Sequence, residues 1–374
     1  MRPDLLPTGR PIVGRRRIYG EPPNAPRFGV GVVGLHEGLT LIVGMRASLW
    51  CRPVAGCDLS PEKRLVAEEE CPGLWTTDDY DAMLARPDID IVAIYTPDAL
   101  HADQILAAFR AGKHVVCTKP LINDPRRSQE LLEAAAKHGV RLQVGQSTRF
   151  YETFQRQRAD FEEGKVGAVE VVDAHYNHRM DWYYEKSPWT VTDTHWCYLG
   201  LSHPIDLVRW YLGGIREVHA VGTISTLGKR YGISKPDAIA VQMMAESGAI
   251  GRAFGHYGMH ELSKARSLIE CLLMGDAGTS LARYPDLKYT YLASDGAEVD
   301  ADFDHAMAGY YYRHELKGMH FGEFCNYLDY FAWKLATGEP NSPDLREGLE
   351  TVMVMRAVER SLETGRVETV ESLP

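Results

Sequence analysis

Between residues 27 and 150 the chain alternates apolar runs of strand length with amphipathic stretches of helix length, a rhythm few folds can satisfy. The runs at 28–34, 53–58, 89–96, 114–117 and 141–145 are predominantly apolar, which suits strands covered on both faces. The stretches between them carry helix punctuation. Ser60-Pro61-Glu62 supplies an N-cap, a proline at the first helical position and an acid in the first turn, and Gly139 closes a helix that begins near Asp124. Strand, helix, strand repeated this way predicts a doubly wound parallel sheet.

Past residue 150 the rhythm changes. After one helix, strand runs at 167–178, 215–224, 238–247, 250–257, 267–274 and 289–293 follow one another with turn residues between them, so the second half is expected to be α+β on a mostly antiparallel, open sheet. A helix over 194–212 should cover part of one face, and a second copy of the chain the open face, giving a dimer or tetramer. Helices over 320–337 and 344–363 end the chain; Ser342-Pro343-Asp344 opens the latter and Gly365 closes it, and both could pack back on the first domain.

The pattern G-x-G-x-x-G fits residues 29–34, but those glycines alternate inside the first strand run. The useful turn is Gly34-Leu35-His36-Glu37-Gly38, where a helix over 37–49 begins and backbone N–H groups can face a pyrophosphate. His36 stands where a second glycine is usual, and the third glycine comes one residue early. Asp58 strengthens the reading: it ends the second run 24 residues beyond Gly34, near the spacing of roughly 20 for an acid that accepts hydrogen bonds from an adenine-ribose diol. Its charge would repel a 2′-phosphate, so NAD is expected over NADP, and it could also cap the helix near Ser60.

The block Ile91-Val92-Ala93-Ile94-Tyr95-Thr96-Pro97 with His101, then Ala111-Gly112-Lys113-His114-Val115-Val116-Cys117-Thr118-Lys119-Pro120-Leu121, resembles the T-P-x-x-x-H and aGKHVxxEKPL signatures of the Gfo/Idh/MocA oxidoreductases. The likeness runs through most of the chain. It implies an NAD-binding Rossmann domain over 27–149, after an extended arm over 1–26, and a substrate-binding and oligomerisation domain over 150–374. It further implies that the strand ends deliver Thr96 and Pro97 to the cofactor and Lys119 to a substrate hydroxyl; His101, Thr118 and Gln146 join the cofactor side. Thr118 replaces the family's glutamate, so a contact to the nicotinamide ribose is weakened or moved. Physical chemistry agrees about Lys119: oxidising a secondary alcohol needs a group to take the hydroxyl proton, and desolvation at a buried strand end lowers a lysine pKa toward that task.

Gly200-Leu201-Ser202-His203-Pro204-Ile205-Asp206-Leu207 resembles the family's D-x-G-x-H-x-x-D helix, with His203 on the histidine and Leu199 where the aspartate should stand. The usual Lys-Asp-His relay is therefore incomplete. His195 and His203, eight apart, would share one face of a continuous helix, and Asp193 or His195 is expected to replace the acid while His203 meets the reacting hydroxyl. Read as metal ligands, Asp193, His195 and His203, or His175 with His178, match no specific spacing, and no metal is expected. On the substrate side Arg149, Tyr176, His178 and Trp189 join Lys119 and His203. The segment 177–189, with Trp196, Tyr198 and Tyr310-Tyr311-Tyr312, mixes hydrogen-bonding groups and flat rings as a polyhydroxylated ligand would require, a sugar, cyclitol or glycoside.

Composition removes other classes. A net charge of −10 disfavours nucleic acid and anionic membrane, and 45% hydrophobic with 25% charged residues suits a globular chain whose 374 residues divide into about two cores. Seven scattered cysteines without a C-x-x-C pair indicate neither a disulfide framework nor a zinc site and suit a reducing cytoplasm. Arg15-Arg16-Arg17 lacks the apolar run an export signal needs, and no transmembrane run is present. The activity expected is an NAD-dependent dehydrogenase. Two alternatives remain: an enzyme that retains NAD and uses a transient ketone for elimination or hydrolysis, and a non-catalytic dinucleotide or sugar sensor.

Overall fold

The computed structural model describes residues 19–21, 23–24, 27–187, 189–260, 267–302 and 323–373. Most of the expected arm, Tyr310-Tyr311-Tyr312 and the start of the expected 320–337 helix lie outside the described residues. Two compact units divide the chain, Met1–Phe150 with His305–Leu349 and Tyr151–Asp304 with Glu350–Pro374.

In the first unit, β1 (Phe28–Val33), β2 (Cys51–Cys57), β3 (Trp75–Thr77), β4 (Ile91–Ile94), β5 (His114–Thr118) and β6 (Leu142–Gly145) form an all-parallel sheet ordered β3-β2-β1-β4-β5-β6. All five expected runs are strands. The sixth, β3, sits at the sheet edge with only three residues, too short and too polar to stand out. Local punctuation works as read: Ser60 Oγ accepts from Lys63 N at 3.3 Å to start the helix Pro61–Glu70, and Gly139, at φ 64°, ends Ser128–His138. The helix expected over 37–49 is shorter, Gly38–Gly44, followed by a 3-10 turn Met45–Ala47. Glu323–Thr337 lays Phe324, Tyr327, Leu328 and Phe331 into this unit's core, where each buried side chain contributes about 1.5–3 kcal/mol.

The second unit is built on β7 (Val169–His178), β8 (Ile215–Thr223), β9 (Ala238–Ala245), β10 (Ile250–His256), β11 (Ser267–Gly275), β12 (Gly278–Tyr284), β13 (Lys288–Ala293), β14 (Glu298–Asp302) and β15 (Glu368–Thr369). They pair in the order β14-β13-β12-β11-β7-β10-β9-β8-β15, antiparallel except for β7 beside β10. Burial alternates along β11 and β12, so one face is covered. Helices Glu152–Glu162 and Ser202–Leu212 cover it: Gln157 Nε2 donates to Cys271 O at 2.9 Å, and Val208 fills the space a Cβ on Gly251 would need. On the other face Val221, Ile250 and Leu292 are exposed.

One expectation is overturned. Residues 194–212 are not a single helix but Trp196–Leu199 and Ser202–Leu212, preceded by Thr190–Asp193. Pro204 is the cause, since in a continuous helix its ring would meet the carbonyl of Gly200 and its missing N–H would leave that carbonyl unbonded. With the break, the spacing of eight no longer places His195 and His203 on one face. Among the described residues no helix is long and apolar enough to cross a membrane.

Candidate functional site

The rim of the first sheet is assembled from strand ends. Gly34 follows β1 at φ 86°, and a Cβ there would lie 2.6 Å from the Tyr95 carbonyl and 2.8 Å from Thr96 N, so only glycine lets the turn approach the end of β4 this closely. A Cβ on Gly38 would lie 2.6 Å from Val32 Cγ1, so the second glycine of the turn serves close packing of helix on strand. His36 is exposed between them, 3.7 Å from the Glu37 carboxylate. Asp58 ties the two loops together: Oδ2 accepts from Leu35 N at 2.8 Å, and Oδ1 accepts from Ser60 N, just before the helix Pro61–Glu70, at 2.9 Å. Each oxygen keeps a further lone pair, and the Lys63 ammonium stands 3.5 Å away. A close-approach turn, a helix start and an acceptor carboxylate at the end of β2 together fit a dinucleotide's pyrophosphate and ribose.

Register places the next group. Ile94 pairs with Cys117, so Thr96 and Lys119, each two residues further on, leave adjacent strands at one level. Between them His101, only 1% exposed, sets Nε2 2.9 Å from Thr96 O and Nδ1 2.9 Å from Pro120 O and 3.2 Å from Leu121 O. Burial pushes the Lys119 ammonium down to about 8, against the pull of Asp98 and Glu37. Burial in turn raises the Asp98 carboxyl, and His101 and Lys119 partly offset it. Pro97 is exposed, Thr118 half-buried, and Gln146, just past β6, is buried with its N–H on Val144 O at 2.8 Å.

Arg149 is buried, and its guanidinium donates to Ser342 Oγ at 3.1 Å beside Glu347 Oε1 at 3.7 Å. Those residues cap the final helix, Leu345–Thr364: Asp344 Oδ1 accepts from Glu347 N and Glu347 Oε2 accepts from Asp344 N, both at 2.9 Å. Arg149 thus stands on the loop that starts this helix.

In the second unit an aromatic wall gathers three of the expected substrate residues, Tyr176, His178 and His203. The half-buried Tyr176 ring meets His203 at 5.4 Å, His178 at 5.9 Å and Tyr257 at 5.7 Å, all edge-on, and Trp182 tilts over His178 at 6.1 Å. Tyr257, not anticipated, stacks on Trp196 at 4.5 Å and lies where a Cβ on Gly200 or Gly255 would fall; those glycines were the available signal. Trp189 is more exposed, 6.2 Å from Tyr183. His203 is buried near the start of Ser202–Leu212, and Leu199 is half-buried.

Asp193 is exposed at the end of its short helix. His195 is engaged at both ring nitrogens, Nε2 3.0 Å from Glu359 Oε1 and Nδ1 2.8 Å from Cys197 Sγ. Tyr198 donates to Glu359 Oε2 at 2.9 Å, and the His195 hydrogen bond holds the Glu359 carboxyl below its usual range. Sequence reasoning missed Glu359 and Asp98. Among the described residues no group of three or more His, Cys, Asp and Glu is placed to hold a metal.

Comparison with known proteins gives the architecture a family. Residues 28–146 match the oxidoreductase family with NAD-binding Rossmann fold, and residues 154–279 match the GFO/IDH/MocA C-terminal domain. An inositol 2-dehydrogenase of Gluconacetobacter diazotrophicus is 27% identical over 359 residues, which is 92% of this chain and 97% of that protein. Among solved structures, a levoglucosan dehydrogenase in complex with NADH shares the fold at TM-score 0.79 and 20% identity, over 93% of this chain and 100% of that one. An apo scyllo-inositol dehydrogenase from Lactobacillus casei does so at 0.72 and 19%, over 92% and 98%. With both halves matched in their expected order, the chain belongs to the Gfo/Idh/MocA family of NAD-binding oxidoreductases.

Proposed function

We propose that this protein is a dehydrogenase that moves a hydride between NAD and a secondary hydroxyl of a cyclitol, sugar or glycoside. The observation that carries the reading is Lys119: a lysine at the end of β5 whose ammonium burial holds near 8, on the same rim as the Gly34 turn and Asp58. Bound there, NAD supplies the hydride acceptor. The turn Gly34-Leu35-His36-Glu37-Gly38 offers backbone N–H groups to the pyrophosphate, Asp58 accepts from the ribose diol, and Thr96, Pro97, Thr118 and Gln146 border the nicotinamide end. Neutral Lys119 takes the hydroxyl proton as the alcohol is oxidised and returns it in the reverse direction.

His203 takes the role its motif implies, a hydrogen bond to the reacting hydroxyl, and Tyr176, His178 and Trp189 present rings and polar edges to the rest of the polyol. His195, committed to Glu359 and Cys197, buttresses this region from behind, and Arg149 anchors the final helix. The substrate class follows the inositol 2-dehydrogenase relative and the aromatic wall. A lysine tuned to the base range favours catalysis over sensing. The reading extends to a homo-oligomer formed through the face carrying Val221, Ile250 and Leu292, and to a reducing cytoplasm, where the seven cysteines, none of them in a disulfide, stay thiols.

The test is reduced-nicotinamide absorbance with NAD and NADP across inositols, free sugars and glycosides. NAD-linked turnover with a member of that set is expected. Silence with all of them overturns the substrate class, and turnover with NADP alone overturns the role of Asp58.

A further inference from the structure

We propose that the substrate is a glycoside with an aryl aglycone, and that Trp182 and Trp189 form the subsite that holds the aryl group; the oxidation of its sugar rests on the dehydrogenase reading above. The aromatic wall of the second unit has two layers. Behind lie Trp196, Tyr257 and Tyr184, each 2% exposed or less. Trp196 stacks on Tyr257 at 4.5 Å, and its Nε1 donates to the Tyr184 hydroxyl at 2.8 Å, so this layer is core. In front lie Tyr176, Trp182 and Tyr183, half-buried, and Trp189, 36% exposed. Tyr183 meets Trp182 at 5.7 Å, Trp189 at 6.2 Å and, in the layer behind, Trp196 at 6.3 Å. Large rings clustered on a rigid backing and left partly open form an apolar surface, which isolated exposed residues do not.

The chemistry of that surface changes along its length. Next to His203, the group assigned to the reacting hydroxyl, stands Tyr176 at 5.4 Å, and His178 follows at 5.9 Å, both with polar edges. The next ring is Trp182, 6.1 Å from His178. Its one polar ring atom is spent on the protein: Nε1 donates to Arg179 O at 3.0 Å, the same carbonyl to which His178 Nδ1 donates at 2.7 Å. Two rings hung from one carbonyl keep a fixed relation, and the Trp182 backbone is pinned as well, its N–H donating to Asp181 Oδ1 at 2.9 Å. Trp182 therefore offers a ligand indole surface without a donor. A free sugar or cyclitol uses only the polar stretch and leaves the indoles to water. An aryl glycoside matches the gradient, its hydroxyls toward His203, Tyr176 and His178 and its flat ring toward Trp182 and Trp189. A second sugar in the aryl position would bring hydroxyls to the stretch that cannot bond them.

The test is NAD-linked turnover by the full-length protein of matched sets of free sugar, methyl glycoside and phenyl glycoside, in gluco, galacto and manno configurations. In the configuration that turns over, the phenyl glycoside is expected to exceed its methyl counterpart by about tenfold or more in kcat/KM, mainly through KM. No gain over methyl overturns the subsite, and an equal gain from a disaccharide of the same sugar overturns the aryl assignment. Trp182→Ala should bring the phenyl-to-methyl ratio close to one. Trp189→Ala, at a position exposed enough to leave folding intact, should lower that ratio by about threefold. A ratio unmoved by either substitution overturns the part given to that indole. Calorimetry with the NAD-saturated protein separates the two readings. Tighter binding of phenyl than of methyl glycosides without turnover leaves the subsite standing and the dehydrogenase reading fallen; turnover of inositols or free sugars with no phenyl advantage in turnover or binding does the reverse. Failure of every glycoside to bind overturns the subsite as well.

Discussion

The strand-end rim of the first unit and the broken helices of the second hold the residues assigned to chemistry, and they are built differently. On the rim, backbone register does the placing: once Ile94 pairs with Cys117, Thr96 and Lys119 emerge side by side whatever their side chains. On the helices, position depends on where each helix stops. Pro204 stops one, His195 loses the face it would have shared with His203, and its nitrogens go to Glu359 on the final helix and to Cys197. Chemistry set by strand register tolerates local sequence change, whereas chemistry set on a helix face is rewritten by one proline or by a carboxylate from far along the chain.

The comparison breaks first at Lys119. Lys119→Ala should lower turnover by about 10²–10⁴-fold while NAD binding, read by calorimetry, changes little. In the unsubstituted protein, alcohol oxidation needs the neutral amine, so its rate should climb as pH rises through about 8 and level off above. A limb centred near the ordinary lysine value of about 10.4 would show that burial does not tune this group. Next comes His203→Ala, expected to cost about 10- to 100-fold in kcat/KM. Unaltered turnover would leave the second unit without a catalytic group.

The same contrast explains what was legible in the chain. Gly34, Asp58, Thr96 and Lys119 could be read directly because an apolar run of strand length fixes where its own end falls, and parallel pairing gathers those ends on one rim. Asp98 was not legible: Thr-Pro-Asp reads as an ordinary turn, and its meaning comes from a loop on another strand. Glu359 sits in an amphipathic helix among other acids, and only tertiary packing selects it for His195. Tyr257 follows a strand as any aromatic can, but Gly200 and Gly255 vacate the space its ring fills. Pro204 is the signal that was present and underweighted, a helix breaker four residues past a glycine.

Cofactor choice sharpens the rim side of the contrast. Asp58→Ala should weaken NAD binding by about tenfold and narrow the preference over NADP, since an acceptor for the ribose diol and a repulsive charge disappear together. The neighbouring Lys63 ammonium then loses its carboxylate partner and becomes available to a 2′-phosphate, so NADP affinity should rise in absolute terms as well. Parallel titrations with the two dinucleotides check this. Equal weakening of both would mean that Asp58 acts only by holding Leu35 N and Ser60 N.

The smallest effect on chemistry is expected at His195, and it bears most directly on the difference between the two regions. Both its nitrogens are engaged inside the second unit, so His195→Ala should cost about 1–3 kcal/mol of stability, seen as a lower Tm, and change turnover by less than about a factor of three. The pH dependence has a definite sign. Because His195 holds the folded Glu359 carboxyl below its unfolded value, that stabilisation is present above the unfolded carboxylate range and is lost as pH falls through the depressed folded value. The Tm gap between the variant and the unsubstituted protein should therefore narrow in acid. If His195→Ala instead lost activity as severely as Lys119→Ala with its Tm unmoved, the acid missing at Leu199 would have been rebuilt at His195, and the helices would carry chemistry on the same footing as the strand ends.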